Sequence, residues 1–66
     1  MELKRGQKVL AVLYGGDKVA RRVWEPTDFG AMICKEETYL EAIRTGDEPM
    51  TVGFRSEWLF PSEEQD

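Results

Sequence analysis

From Lys8 to Glu25 the chain alternates apolar and polar positions in two runs. Val9, Ala11 and Leu13 alternate with Lys8, Leu10, Val12 and Tyr14; Val19 and Val23 alternate with Ala20, Arg22 and Trp24. A period of two marks extended strands with one face buried. Gly15-Gly16-Asp17 stands between the runs, and its glycines reach positive φ without steric cost. The chain is therefore expected to double back there as a β-hairpin, with strands over residues 7–14 and 18–25. A three-residue turn pairs Val9 with Val23 and Leu13 with Val19, gathering four apolar side chains on one side. Tyr14, Arg22 and Trp24 then share the opposite side with Leu10 and Val12.

Pro26-Thr27-Asp28 supplies the next turn, because proline fixes φ and cannot donate to a ladder. A third strand is expected over residues 29–34. Phe29, Ala31 and Ile33 lie on one of its faces and Gly30, Met32 and Cys34 on the other, so it reads as a strand central to a closed sheet or as one covered by a helix. The period then changes. Thr38 and Glu41 have the spacing of a capping box, and a helix over 37–45, extendable to Glu36, would place Tyr39, Leu40 and Ile43 against the sheet. Gly46 stops it in the left-handed region and Pro49 prevents resumption. A fourth strand follows over 50–54, with Met50, Val52 and Phe54 on one side. A tight turn from Ser56 through Trp58 leads to a short strand over 59–60. Pro61 is expected to end order, leaving residues 1–60 as one small domain and 61–66 as a disordered acidic tail. The fold class is mainly β (α+β): a small antiparallel barrel of about five strands, with one short helix between strands 3 and 4.

Two local patterns support the barrel. Gly6-Gln7-Lys8-Val9 with Ala11 and Tyr14, followed by Ala20-Arg21-Arg22-Val23, resembles the opening hairpin of Tudor and KOW-type members of the SH3-like barrel superfamily. Gly53-Phe54-Arg55-Ser56-Glu57-Trp58-Leu59 is similar to the strand-to-turn segment that closes SH3 domains. That family usually carries Pro, Asn and Tyr where this chain has Arg55, Glu57 and Trp58. The chain also departs from the family. Its hairpin turns straight back, with no room for the long first loop, and the paired tryptophans of a proline-peptide groove are absent. A helix from Thr38 to Arg44 replaces a short loop. The resemblance implies a barrel and a binding module, without naming a ligand.

Sixty-six residues form one domain whose stability is marginal, since a chain this short buries roughly 60% of its unfolded surface. One cysteine and no histidine exclude an internal disulfide and a good zinc site. The fold must rest on apolar packing, helped by self-association where an edge is left open. Without histidine the usual general base is missing, and Cys34, set among apolar residues, reads as a buried small hydrophobe. No enzyme activity, cofactor or metal is expected. No run reaches the ~18–20 apolar residues of a membrane span, and the N-terminus lacks the apolar segment of a signal peptide, so a soluble, cytoplasmic protein is expected.

The net charge of −4 is unevenly distributed. Residues 1–24 hold six basic side chains against Glu2 and Asp17, whereas residues 25–66 hold Lys35, Arg44 and Arg55 against eleven carboxylates. Three functional readings follow. The first is a non-enzymatic protein-interaction module whose surface uses Tyr14, Trp24 and Trp58 with Lys18, Arg21 and Arg22 at the rim. The second is a nucleic-acid-associated module, with Lys18, Arg21 and Arg22 on phosphates and an aromatic for stacking; a pI near 4.8 argues against it. The third is an acidic inhibitor or nucleic-acid mimic presenting the carboxylates of residues 36–48. Trp24 and Trp58 fit either a core or a ligand-facing role.

Overall fold

The computed structural model describes residues 3–62. The elements are β1 (Lys8–Val12), β2 (Lys18–Pro26), β3 (Gly30–Cys34), α1 (Glu36–Thr45), β4 (Val52–Arg55), a single 3₁₀ turn (Ser56–Trp58) and β5 (Leu59–Pro61). All five strands join one antiparallel sheet in the order β4-β3-β2-β1-β5. The sheet is unclosed, with β4 and β5 at its edges. The fold is therefore mainly β with one helix; β3 is an interior strand between β4 and β2, the middle strand is β2, and the closed sheet expected around β3 is not formed. The expected tail falls largely on residues 63–66, outside those described. Pro61 itself belongs to β5, and the Ser62 amide donates to the Lys8 carbonyl, so order runs past the predicted boundary at residue 60.

The hairpin forms at the predicted place with a different register. Val9 faces Arg21 and Ala11 faces Val19, where the alternation argument had paired Val9 with Val23 and Leu13 with Val19. The cause lies in the turn. The Gly16 amide donates to the Leu13 carbonyl, the Leu13 amide donates to the Asp17 carbonyl, and Gly16 has φ +93°. The three loop residues are thus Tyr14, Gly15 and Gly16, with the left-handed residue last, as a type I turn with a following bulge requires. The expected loop, Gly15-Gly16-Asp17, would have put Asp17 there instead. A slip of two residues preserves which side each residue faces, so Val9, Ala11 and Val23 still point inward. Tyr14, however, becomes a turn residue and leaves the strand face it was expected to share with Trp24.

At the far end β2 carries a bulge. Val23 faces Ile33 and Glu25 faces Met32, so Trp24 is the extra residue. A bulge bends its strand and increases the local twist, allowing β2 to pair with β1 along one part and β3 along the other. The core lies on the concave side and consists of Val9, Ala11, Val23, Ala31, Ile33 and Leu59, with Leu3, Val19 and Phe54 packed against it. It is aliphatic throughout. The largest fully buried side chains are valines, and every tryptophan is partly exposed.

The helix begins one residue before its predicted start. Lys35 occupies the N-cap without a side-chain hydrogen bond, so Thr38 lies inside the first turn and the expected capping box does not form. Gly46 ends the helix in the left-handed region, φ +83°, its amide donating to the Ala42 carbonyl. The buried face also differs: Ala42 is buried and Tyr39 half-buried, whereas Leu40 and Ile43 are more than half exposed. Tyr39 sets this rotation. Its ring meets Trp24 edge-on at 6.0 Å and lies under the Arg22 guanidinium at 5.5 Å, which turns small Ala42 toward the sheet.

Candidate binding groove

The six sequence-predicted surface residues divide among four places. Tyr14 protrudes fully into solvent at the hairpin tip, and Trp58, 46% exposed, follows β4 on the 3₁₀ turn. They come together in an open groove of about 540 Å³, completed by Val12, Leu13, Gly53, Phe54 and Arg55. The hairpin supplies one wall; β4 and its turn supply the other. Leu13 and Phe54 also line an adjoining cleft of about 530 Å³, where Val19, Ile33, Met50 and Val52 continue the core toward solvent. The two hollows therefore form a continuous apolar surface on either side of Phe54. Leu13 and Phe54 were absent from the predicted site. The signal for Phe54 was its same-side spacing with Met50 and Val52, which marks an apolar strand face without marking a site.

Trp24 and Arg22 occupy a different region, where they are bound to their own fold. Arg5 stacks 4.5 Å above the Trp24 ring while its Nε donates to the Trp24 carbonyl at 2.8 Å. Arg22 Nη1 donates to the Gly6 carbonyl at 2.8 Å, and its Nε to Glu36 Oε1 at 3.3 Å. Gly6 in turn donates to the Val23 carbonyl at 2.7 Å and holds φ +88° directly below the Tyr39 hydroxyl. Arg22 thus ties together the N-terminal turn, β2 and α1. Stacked and charge-assisted contacts of this kind define a joint between elements.

Lys18 and Arg21 lie apart from both groups. The Lys18 ammonium lies 5.6 Å from the Phe60 ring centroid, on the outer side of the β1–β2–β5 ladder. Arg21 Nη1 donates to the Ala20 carbonyl at 2.7 Å, and the residue lines the apolar cleft beside Cys34. The three cations proposed for phosphate contact therefore do not form one patch.

Cys34 is buried and free. Burial pushes its thiol above the ordinary value of 9.0, and nearby Arg21 only partly opposes this. The raised value makes the folded state hold its proton longer than the unfolded chain does. That contribution to stability is intact below about pH 9 and is lost as pH rises through the folded value. Native protein at pH 8 should therefore label with a maleimide at least tenfold more slowly than urea-unfolded protein, followed by mass spectrometry; equal rates would place the thiol at the surface.

Among the described residues no group of three or more His, Cys, Asp or Glu side chains could hold a metal ion, and no helix is long and apolar enough to cross a membrane. No family model matches the chain, and no curated protein or solved structure is significantly similar to it.

Proposed function

We propose that this chain is a small non-enzymatic module that binds another protein through the groove between the hairpin tip and the β4 turn. The observation that carries the reading is the pairing of Tyr14 and Trp58 across a groove floored by Leu13 and Phe54. Aromatic side chains with an apolar floor and a charged rim, here Arg55, are the composition of binding hot spots. Exposed aromatics in one concave strip also differ from single scattered apolar residues, which carry no meaning.

The strand order, the bulged second strand and the single tight turn before the last strand fit an SH3-like half-barrel, which we adopt as the architectural reading. Nucleic-acid binding is less well supported, because Arg22 is committed to Gly6 and Glu36 while Lys18 and Arg21 point to different places.

Selection of displayed random peptides on immobilised protein tests the proposal. Wild-type protein should enrich a recurrent motif, and affinity for the resulting peptide should fall at least tenfold in Trp58→Ala and several-fold in Tyr14→Ala, with the circular dichroism spectrum unchanged. No enrichment, or a motif indifferent to Trp58, sinks the reading. Titration with single- and double-stranded oligonucleotides at two salt concentrations should give no binding; salt-sensitive binding lost in Lys18→Ala/Arg21→Ala would favour nucleic acid instead.

A further inference from the structure

The inward side of β2 carries an arginine. Val19, Arg21 and Val23 alternate on one face of the strand, and Arg21 stands opposite Val9, which is fully buried. Arg21 is half-buried, and its Nη1 donates to the Ala20 carbonyl at 2.7 Å. Among the described residues no carboxylate pairs with it. The edge of the guanidinium formed by Nε and Nη2 is left to receive a carboxylate through two parallel hydrogen bonds.

Arg21 lines the cleft of about 530 Å³ together with Lys35 and Thr38. Arg22 pairs with Cys34, the last residue of β3, so Arg21 lies beside the β3–α1 junction that supplies the other two. Lys35 is exposed and likewise pairs with no carboxylate among the described residues. No Asp or Glu among the described residues lines the cleft, although the chain carries a net charge of −4. The facing walls, Leu13, Met50, Val52 and Phe54, are apolar, with Met50 91% and Val52 61% exposed.

We propose that this cleft binds a small amphiphile with a carboxylate head and an unbranched aliphatic body. The head lies at the β3–α1 junction, held by the Nε–Nη2 edge of Arg21 with the Lys35 ammonium beside it. From there the body runs along β4, past Val52 to Phe54 and Leu13, and covers the exposed side of Met50. Charge identifies the head, because two cations and no acid face one hollow whose apolar walls strengthen an ion pair. Apolar walls with a few convergent polar groups, in a volume of roughly 300–1,000 Å³, are the usual make-up of a small-molecule site. The site is separate from the protein-binding reading, since Tyr14 and Trp58 line the groove and not the cleft.

Titration of ¹⁵N-labelled protein with dodecanoate, below its micelle-forming concentration, tests this. Saturable amide shifts should centre on Ala11, Ile33, Lys35 and Phe54, with the circular dichroism spectrum unchanged. Dodecanol and dodecylammonium carry the same body and should bind at least tenfold more weakly. Arg21→Met keeps an apolar stem and should weaken dodecanoate at least tenfold while leaving dodecanol unaffected. Lys35→Met, at an exposed position, should weaken dodecanoate several-fold. Trp58→Ala should bind it as the wild type does, so a failure of the groove and a failure of the cleft are told apart. Absence of saturable binding overturns the proposal. So does equal affinity for the three heads, which is adsorption to apolar surface alone, or undiminished binding in Arg21→Met. Tighter binding of dodecyl phosphate than of dodecanoate would overturn the carboxylate as the head.

Discussion

Gly30→Ala is expected to remove a large share of the protein's folding stability. Gly30 is buried in β3 opposite Arg55, at the crossing of β3 with the start of the 3₁₀ turn. A methyl group there would overlap the Phe54 carbonyl oxygen, and would lie 2.7 Å from the Ser56 nitrogen and 2.8 Å from the Arg55 carbonyl carbon. All three are backbone atoms held by the sheet, so no side chain can rotate away. The β3–β4 ladder must open, at a cost of about 3 kcal/mol or more. For a chain of this length total stability is about 3–10 kcal/mol, so that loss is a large share of it. Gly16→Ala is the control. Nothing lies within 4 Å of the position, and its φ of +93° should cost only about 1–2 kcal/mol. Urea titrations followed by tryptophan fluorescence would rank the two, and a Gly30→Ala protein within 1 kcal/mol of wild type would contradict the packing described.

Arg22→Ala should destabilise the fold by about 2 kcal/mol, whereas Lys18→Ala should leave it nearly unchanged. A charge-assisted bond to a carbonyl contributes about 1.5–3 kcal/mol and a partly shielded cation–π contact about 0.5–1 kcal/mol. Arg22 makes both, to Gly6 and Tyr39. Its pair with Glu36 adds little, because that carboxylate is more than half exposed. Lys18 is exposed and rests only on Phe60. For a domain of this size 2 kcal/mol corresponds to a fall in Tm of roughly 8–16 °C. Thermal melts would detect it readily, and equal melting of the two variants would remove Arg22 from its place as the joint between elements. Loss of any ligand in Arg22→Ala would then report instability before it reported a lost contact.

Much of the architecture is written in the alternation. Val9, Ala11 and Val23 face inward because a period of two fixes the face even when the register slips by two. Gly46 and the change of period after Cys34 locate the helix, since a left-handed stop is a local requirement satisfied by one residue type. What could not be read depended on contacts distant in sequence. The rotation of α1 follows from Tyr39 meeting Trp24 and Arg22 on another element, which helical spacing does not encode. The hairpin register turned on whether Gly16 or Asp17 takes the left-handed position that ends the three-residue loop. At the candidate site, Tyr14 and Trp58 were recognisable as aromatics near turns, but their meeting depends on how far the sheet curls. That curl comes from the bulge at Trp24, which the sequence does not announce.

The pairing of β5 with β1 has an energetic consequence of its own. With β4 already held on β3, laying β5 on β1 orders the three residues Leu59–Pro61, at about 1–2 kcal/mol of backbone entropy each. Leu59 is the single buried side chain of β5, and its nearly complete burial returns about 1.5–3 kcal/mol. The last strand is therefore held on a narrow margin, mostly by one leucine and a three-residue ladder. Detachment of this strand is an inexpensive opening, and amide exchange in β5 should run ahead of exchange in the β2–β3 centre.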